Sequence, residues 1–133
     1  MTTLIIGGGL SGLALAEALE RRGHEYLLVD ARNRFGGRIK AEHHGGAAFD
    51  MGPAWFWPGQ PRMERLVQQL GLTVFEQHSQ GELTYEDEQG QVQRGIGYAS
   101  MAGSLRLDGG LSALTDALAA QLTSVTLNMS VSA

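Results

Sequence analysis

At 133 residues the chain has the size of one ordinary domain, and 43% apolar against 18% charged residues exclude a disordered, collagen-like or coiled-coil chain. Ten basic against fourteen acidic residues leave a net charge of -4, so no basic surface is available to release counterions and neither DNA nor RNA is expected as a partner. The absence of cysteine removes disulfides, thiolate catalysis and Cys-ligated metals and is compatible with a cytoplasmic protein, whereas 19 glycines, twice the usual ~7%, show that backbone geometry is in use.

The first residues carry no basic n-region, and their apolar run stops at Gly7, so no signal peptide or membrane span is expected. Thr3 to Ile6 reads as a buried parallel strand. Gly12 to Arg22 reads as a helix, with Arg21 and Arg22 in its last turn and Gly23 as its stop. Tyr26 to Asp30 is a second apolar run, which makes residues 3 to 30 one βαβ unit with a right-handed crossover. Residues 31 to 60 are glycine-rich, lack periodicity and read as ordered loop. Pro61 suits a first helical position, and Met63, Leu66, Val67 and Leu70 give the next helix one apolar stripe before Gly71. Leu83 to Glu86 and Gln91 to Arg94 flank a turn at Asp87 to Gly90, as in an exposed hairpin. Leu111, Leu114, Leu118 and Leu122 mark a last helix, and Val125, Leu127, Met129 and Val131 alternate as in a terminal strand. The fold class is α/β, a Rossmann-like parallel sheet with helices.

Gly7-Gly8-Gly9-Leu10-Ser11-Gly12 fits G-x-G-x-x-G directly after a strand and opening a helix, the context in which that spacing has a mechanism. Gly7 permits a tight turn, Gly9 lets the backbone approach a pyrophosphate, and Gly12 lets the helix lie close on the strands. The N–H groups that open the helix, at Leu10, Ser11 and Gly12, suit a diphosphate, and the loop holds no cationic side chain to do that work. Asp30, eighteen residues beyond Gly12, is the expected acceptor for both ribose hydroxyls of an ADP moiety, where a 2′-phosphate would be repelled. An ADP site does not by itself separate NAD from FAD.

Ala31-Arg32-Asn33-Arg34-Phe35-Gly36-Gly37-Arg38-Ile39 follows, and R-x-G-G-R in this place is similar to the second flavin fingerprint of the flavin-containing amine oxidase superfamily, which includes phytoene desaturases and protoporphyrinogen oxidases. Physically, the diglycine lets a second backbone segment come close to the cofactor, while Arg34 and Arg38 can offset diphosphate charge; a solvated basic loop is the plainer alternative. Asp50-Met51-Gly52 looks like the family's D-x-G segment, which passes beside the flavin ring. The resemblance thus makes Ala31, Arg32, Gly36, Gly37, Arg38, Gly52, Pro53, Ala54 and Trp55 cofactor-contact candidates, although Pro53 stands where a small Gly or Ala is more usual. For Trp55-Phe56-Trp57, hydrophobic packing and a flavin-side wall are equal readings. Gly109 to Leu114 and Val125 to Asn128 resemble the later helix and third strand of the flavin sheet, so the likeness spans nearly the whole chain and is strongest over residues 4 to 57.

The resemblance implies FAD as cofactor and transfer of a hydride equivalent from an amine or related small molecule to the flavin, with reoxidation by oxygen. The family's lysine and aromatic cage come later; Lys40, the one lysine, lies in another region, and the later G-D segment is absent. No catalytic residue is therefore assigned, and the chain reads as the N-terminal part of an FAD-binding domain, inactive by itself. Its expected divisions are a βαβ core over 3–38, an inserted loop, helix and hairpin on the substrate side over 39–105, and a returning helix and strand over 106–133. A non-catalytic FAD- or ADP-binding module is the alternative, and an NAD-dependent dehydrogenase is disfavoured by residues 34 to 38. His43 and His44 point to opposite faces and lack a carboxylate or thiolate cluster, so a surface loop is expected there and no metal. Asp50 with His44 makes no hydrolase triad, because G-x-S-x-G is absent. In the family a late strand flanks the first one. Thr3 to Ile6 should thus present an unpaired edge, Met63, Leu66, Val67 and Leu70 should be partly exposed, and the chain should self-associate.

Overall fold

The computed structural model describes residues 1–95 and 101–132. Strand β1 (Thr3–Ile6), helix α1 (Leu10–Glu20) and strand β2 (Tyr26–Val29) form the expected βαβ unit, with Thr3 opposite Tyr26 and Ile6 opposite Val29 in parallel register. The helix opens at Leu10 rather than Gly12, because Leu13 N–H already bonds Gly9 O at 2.9 Å and closes the first turn across the glycines. It ends at Glu20, ahead of Arg21 and Arg22, and the chain turns away at Gly23 with φ +68°.

Residues 31 to 60 are not all loop. Strands β3 (Ala41–His44) and β4 (Ala47–Asp50) pair antiparallel around Gly45 and Gly46, whose positive φ values of +58° and +80° suit a two-residue hairpin turn. Periodicity missed this hairpin because Glu42, His43 and His44 are all exposed. Helix α2 (Pro61–Gln69) follows, then β5 (Val74–Glu76), the hairpin β6 (Thr84–Glu86) and β7 (Val92–Arg94), β8 (Leu105–Leu107), α3 (Ser112–Ala119) and β9 (Val125–Thr126). β5 and β8 pair antiparallel, a ladder of three residues a side that joins distant parts of the sequence.

The parallel sheet has the order β1-β2-β9. β9 is shorter than the alternation over 125 to 131 suggested: it pairs only at Leu28–Val125 and Val29–Thr126. Asn128 then takes φ +57° and turns the chain out of the ladder, and its N–H bonds Arg32 O while that of Met129 bonds Asp30 O. Ile5, Leu28, Leu13, Ala16, Leu118 and Leu122 fill the layer between the sheet, α1 and α3. On the other face Leu4 and Ile6 remain 53% and 66% exposed, and β1 has no second strand partner among the described residues, as expected of an edge.

A second cluster, centred on Leu107, Leu111 and Leu114, packs Ile39 and Phe56 against Val67 of α2. Leu66 and Leu70 reach both clusters, and Met63 the second. Met63, Leu66 and Leu70 are thus half-buried, partly exposed as expected, and Val67 departs from the expectation in being buried in the second cluster.

Candidate dinucleotide site

The site starts where β1 turns into α1. Gly7 adopts φ +106°, which a side chain would strain, and its N–H bonds Val29 O at 2.8 Å. A Cβ on Gly12 would stand 2.0 Å from Gly7 O, so only glycine lets the helix lie this close to the turn. Gly9 caps α1 in extended conformation without a side-chain hydrogen bond, and no acid occupies the first turn. The N–H groups of Leu10, Ser11 and Gly12 thus open α1 without intrahelical acceptors, a positive end suited to an anion.

Asp30 is buried at the end of β2. Its Oδ2 accepts Gly8 N–H at 2.8 Å and its Oδ1 accepts Arg32 N–H at 2.8 Å. The carboxylate is thus already committed to two backbone donors, although each oxygen keeps a second lone pair for a ligand hydroxyl. Burial pushes this carboxyl up, but the two backbone N–H groups and the positive charges of Arg32 and Arg34 outweigh it and hold it below the usual range. A cavity of about 420 Å³ opens beside it, lined by Ile6, Gly7, Val29, Asp30, Ala31 and Arg32 on one hand and Met129, Ser130 and Val131 on the other. It lies outside the carboxyl ends of parallel strands, where open α/β sheets take ligands. Residues 129 to 131, which alternation places in a strand, line this cavity instead, and the cue to their position is Asn128, one of the few residue types that tolerate the left-handed turn.

The second glycine segment folds directly against the first. Gly36 N–H bonds Gly8 O at 2.8 Å, Gly9 and Gly36 form a parallel bridge, and a Cβ on Gly37 would come within 3.2 Å of Gly9 Cα. The close approach made by the diglycine is thus to the glycine loop itself. Phe35, which no spacing singled out, covers Gly8 so closely that a Cβ there would meet its Cδ1 at 2.4 Å. Arg34 does not stand free for a diphosphate. It donates to Phe35 O and Gly37 O at 3.0 Å each and to Ile39 O at 3.4 Å. Arg38 is exposed and makes no hydrogen bond or ion pair among the described residues.

The D-x-G segment abuts this arm from the far end. Met51 N–H bonds Lys40 O at 2.8 Å, and a Cβ on Gly52 would stand 2.2 Å from Arg38 O. Ala54 is half-buried, Pro53 and Trp55 are exposed, and none of residues 52 to 55 lines the cavity beside Asp30. Within Trp55-Phe56-Trp57 only Phe56 is core. Asp50 serves the fold: its carboxylate, 2% exposed, accepts Leu111 N–H at 2.8 Å at the start of α3 and pairs with Arg106 at 3.1 Å. His43 and His44 lie exposed on β3, and no cluster of three metal-ligating side chains occurs among the described residues. Nor is any helix among them long and apolar enough to cross a membrane.

A parallel sheet, a glycine turn into a helix and a buried acid closing the next strand define a Rossmann-like dinucleotide-binding domain, and residues 5–70 match the family described as NAD(P)-binding Rossmann-like domain. Within that class, the chain is similar to flavin-containing amine oxidases. It is 33% identical over 82 residues to putrescine oxidase of Kocuria rosea, covering 62% of this chain and 17% of that protein. It is 38% identical over 73 residues to flavin-containing amine oxidase A of Sus scrofa, covering 54% and 14%. The solved structure of a putrescine oxidase triple mutant matches in fold with TM-score 0.84 at 19% identity, over 96% of this chain and 51% of that one. The chain thus spans less than a fifth of the length of these curated relatives.

Proposed function

We propose that this chain is the FAD-binding portion of an FAD-dependent amine oxidase. The observation that carries the reading is the meeting of three pieces: an uncapped α1 N-terminus, the buried Asp30 beside a cavity, and the R-x-G-G-R arm bonded onto the glycine loop. Gly7, Gly9, Leu10, Ser11 and Gly12 would hold the diphosphate, Asp30, Ala31 and Arg32 the ribose end, and Gly36, Gly37 and Arg38 the outer side of the diphosphate. Gly52, Pro53, Ala54 and Trp55 would lie toward the flavin. When bound, FAD accepts a hydride equivalent from an amine or similar small molecule and is reoxidised by oxygen.

In this reading residues 3–38 are the nucleotide core, 39–105 a substrate-side insertion and 106–133 the return to the sheet. The setting is cytoplasmic, which a cysteine-free chain suits. Titration with FAD, followed by flavin fluorescence and calorimetry, is expected to saturate, with ADP alone binding more weakly. No saturable binding would sink the reading, and equal affinity for ADP would leave a nucleotide module without flavin contacts. Without the rest of the family's architecture no peroxide is expected from amines.

Self-association belongs to the same proposal. The open edge of β1 carries no charge or proline to discourage strand pairing, and Leu4 and Ile6 flank it with exposed apolar surface. Light scattering should show mass rising with concentration, and Ile6→Lys should return the chain to monomer.

A further inference from the structure

We propose that Arg34 is a positioning residue, holding the Gly36-Gly37 turn from inside, and that of the two fingerprint arginines only Arg38 adds its charge to that of the α1 N-terminus at the cofactor's diphosphate. This rests on the FAD reading and divides between two arginines a role that the fingerprint assigns to both.

The turn is costly to hold. Gly36 and Gly37 sit consecutively at φ +98° and +60°, a pair of conformations that a flexible glycine segment leaves readily. The carbonyls of Phe35, Gly37 and Ile39 converge on one guanidinium, whose planar fork donates to all three. On its other side the turn bonds the glycine loop through Gly36 N–H and Gly8 O, while Ile39 N–H closes it onto Gly36 O at 3.0 Å. Whatever fixes this turn therefore also fixes the loop that opens α1.

A second observation separates Arg34 from the nucleotide. With Phe35, Ile39, Lys40, Thr115 and Asp116 it lines a different cavity of about 280 Å³, which shares no lining residue with the one beside Asp30. Three of its N–H groups, on Nη1 and Nη2, are turned onto backbone oxygens, whereas Arg38 is exposed and has no partner among the described residues.

The test uses the full chain with Arg34→Ala, Arg34→Gln and Arg38→Ala. Amide exchange at Gly36 and Ile39 is measured without FAD, and FAD affinity is measured by fluorescence titration across a salt series. Loss of the fork should speed exchange at both amides by about tenfold or more and weaken FAD, while the salt dependence of affinity stays that of the parent. Arg34→Gln, which keeps an N–H donor and loses the charge, should recover part of the protection and part of the affinity. Arg38→Ala should leave exchange unchanged and flatten the salt dependence. The proposal is overturned if Arg34→Ala flattens the salt dependence with exchange unaltered, or if Arg34→Gln behaves as Arg34→Ala in both measurements. Should the parent chain fail to bind FAD, the functional reading falls by itself, and amide exchange in the Arg34 variants still decides whether the arginine holds the turn.

Discussion

Replacing Gly12 by Ala is expected to loosen the whole nucleotide end of the chain, not only to weaken a ligand. The new Cβ would stand 2.0 Å from Gly7 O and 3.4 Å from Ile5 Cγ2. The carbonyl cannot easily retreat, because Gly7 is held at φ +106° with its N–H on Val29 O. The strain must pass to α1, which would tilt from β1 and unseat Leu13 and Ala16, both fully buried. Overpacking of this kind costs about 1–3 kcal/mol or somewhat more, a serious share of the ~5–15 kcal/mol that keeps a domain folded. Gly9→Ala is the control. Its Cβ meets only Gly37 Cα, at 3.9 Å, so the folded chain should tolerate it while a diphosphate should not. Urea unfolding should separate the two: a clear fall in midpoint for Gly12→Ala, little change for Gly9→Ala, and reduced FAD affinity in both. Equal midpoints would refute the distinction between a packing glycine and a ligand glycine.

The other large effect is expected at Asp30. Truncation to Ala leaves the N–H groups of Gly8 and Arg32 without their acceptor in a buried site, at a cost of about 3 kcal/mol. Asn keeps one acceptor oxygen and turns an NH₂ toward the other donor, so it should fall between Ala and the parent. The pH dependence has a definite sign. Because the folded carboxyl titrates below its ordinary value near ~3.9, its contribution to stability is complete above that value and fades as pH falls through the lower folded value. The parent should therefore lose stability in acid more steeply than Asp30→Asn, and the two urea-midpoint curves should converge at the acid end. The same variants should lose FAD affinity at neutral pH, where the carboxylate would otherwise accept the ribose hydroxyls. Parallel curves from pH 3 to 7 would show that Asp30 does not carry this bond network.

What was legible in the sequence is what is local in the chain. The glycine run and Asp30 stand where spacing put them, and the helix between them opens and closes within two residues of its expected bounds, although Asp30 itself reaches back to Gly8. The β5–β8 ladder was not legible, since three residues a side leave no periodicity and the partners are 29 to 33 residues apart. The β3–β4 hairpin had a cue in Gly45-Gly46, masked by the polar run Glu42-His43-His44. Arg34 illustrates a different limit: a fingerprint says which residue types recur near a phosphate, but not which way a guanidinium turns. Nor does any spacing reveal that Asp50 meets Arg106 and Leu111, because that contact depends on α3 returning across the second core cluster.

The place of β2 in the sheet has a consequence for how the protein is made. Its partner β1 is synthesised at once, but its partner β9 comes only with Val125 and Thr126, and Leu118 and Leu122 of the first core cluster come barely sooner. At ordinary translation rates the nascent βαβ unit waits on the order of 5–20 s with one side of β2 bare and its core half filled. Closure of the sheet is therefore a late event, and the vulnerable period falls on the ribosome, when a strand edge and an unfinished apolar layer are both open to neighbouring chains. Synthesis at lower temperature, or with a holding chaperone present, should raise the folded yield more than any change to the surface of the finished protein.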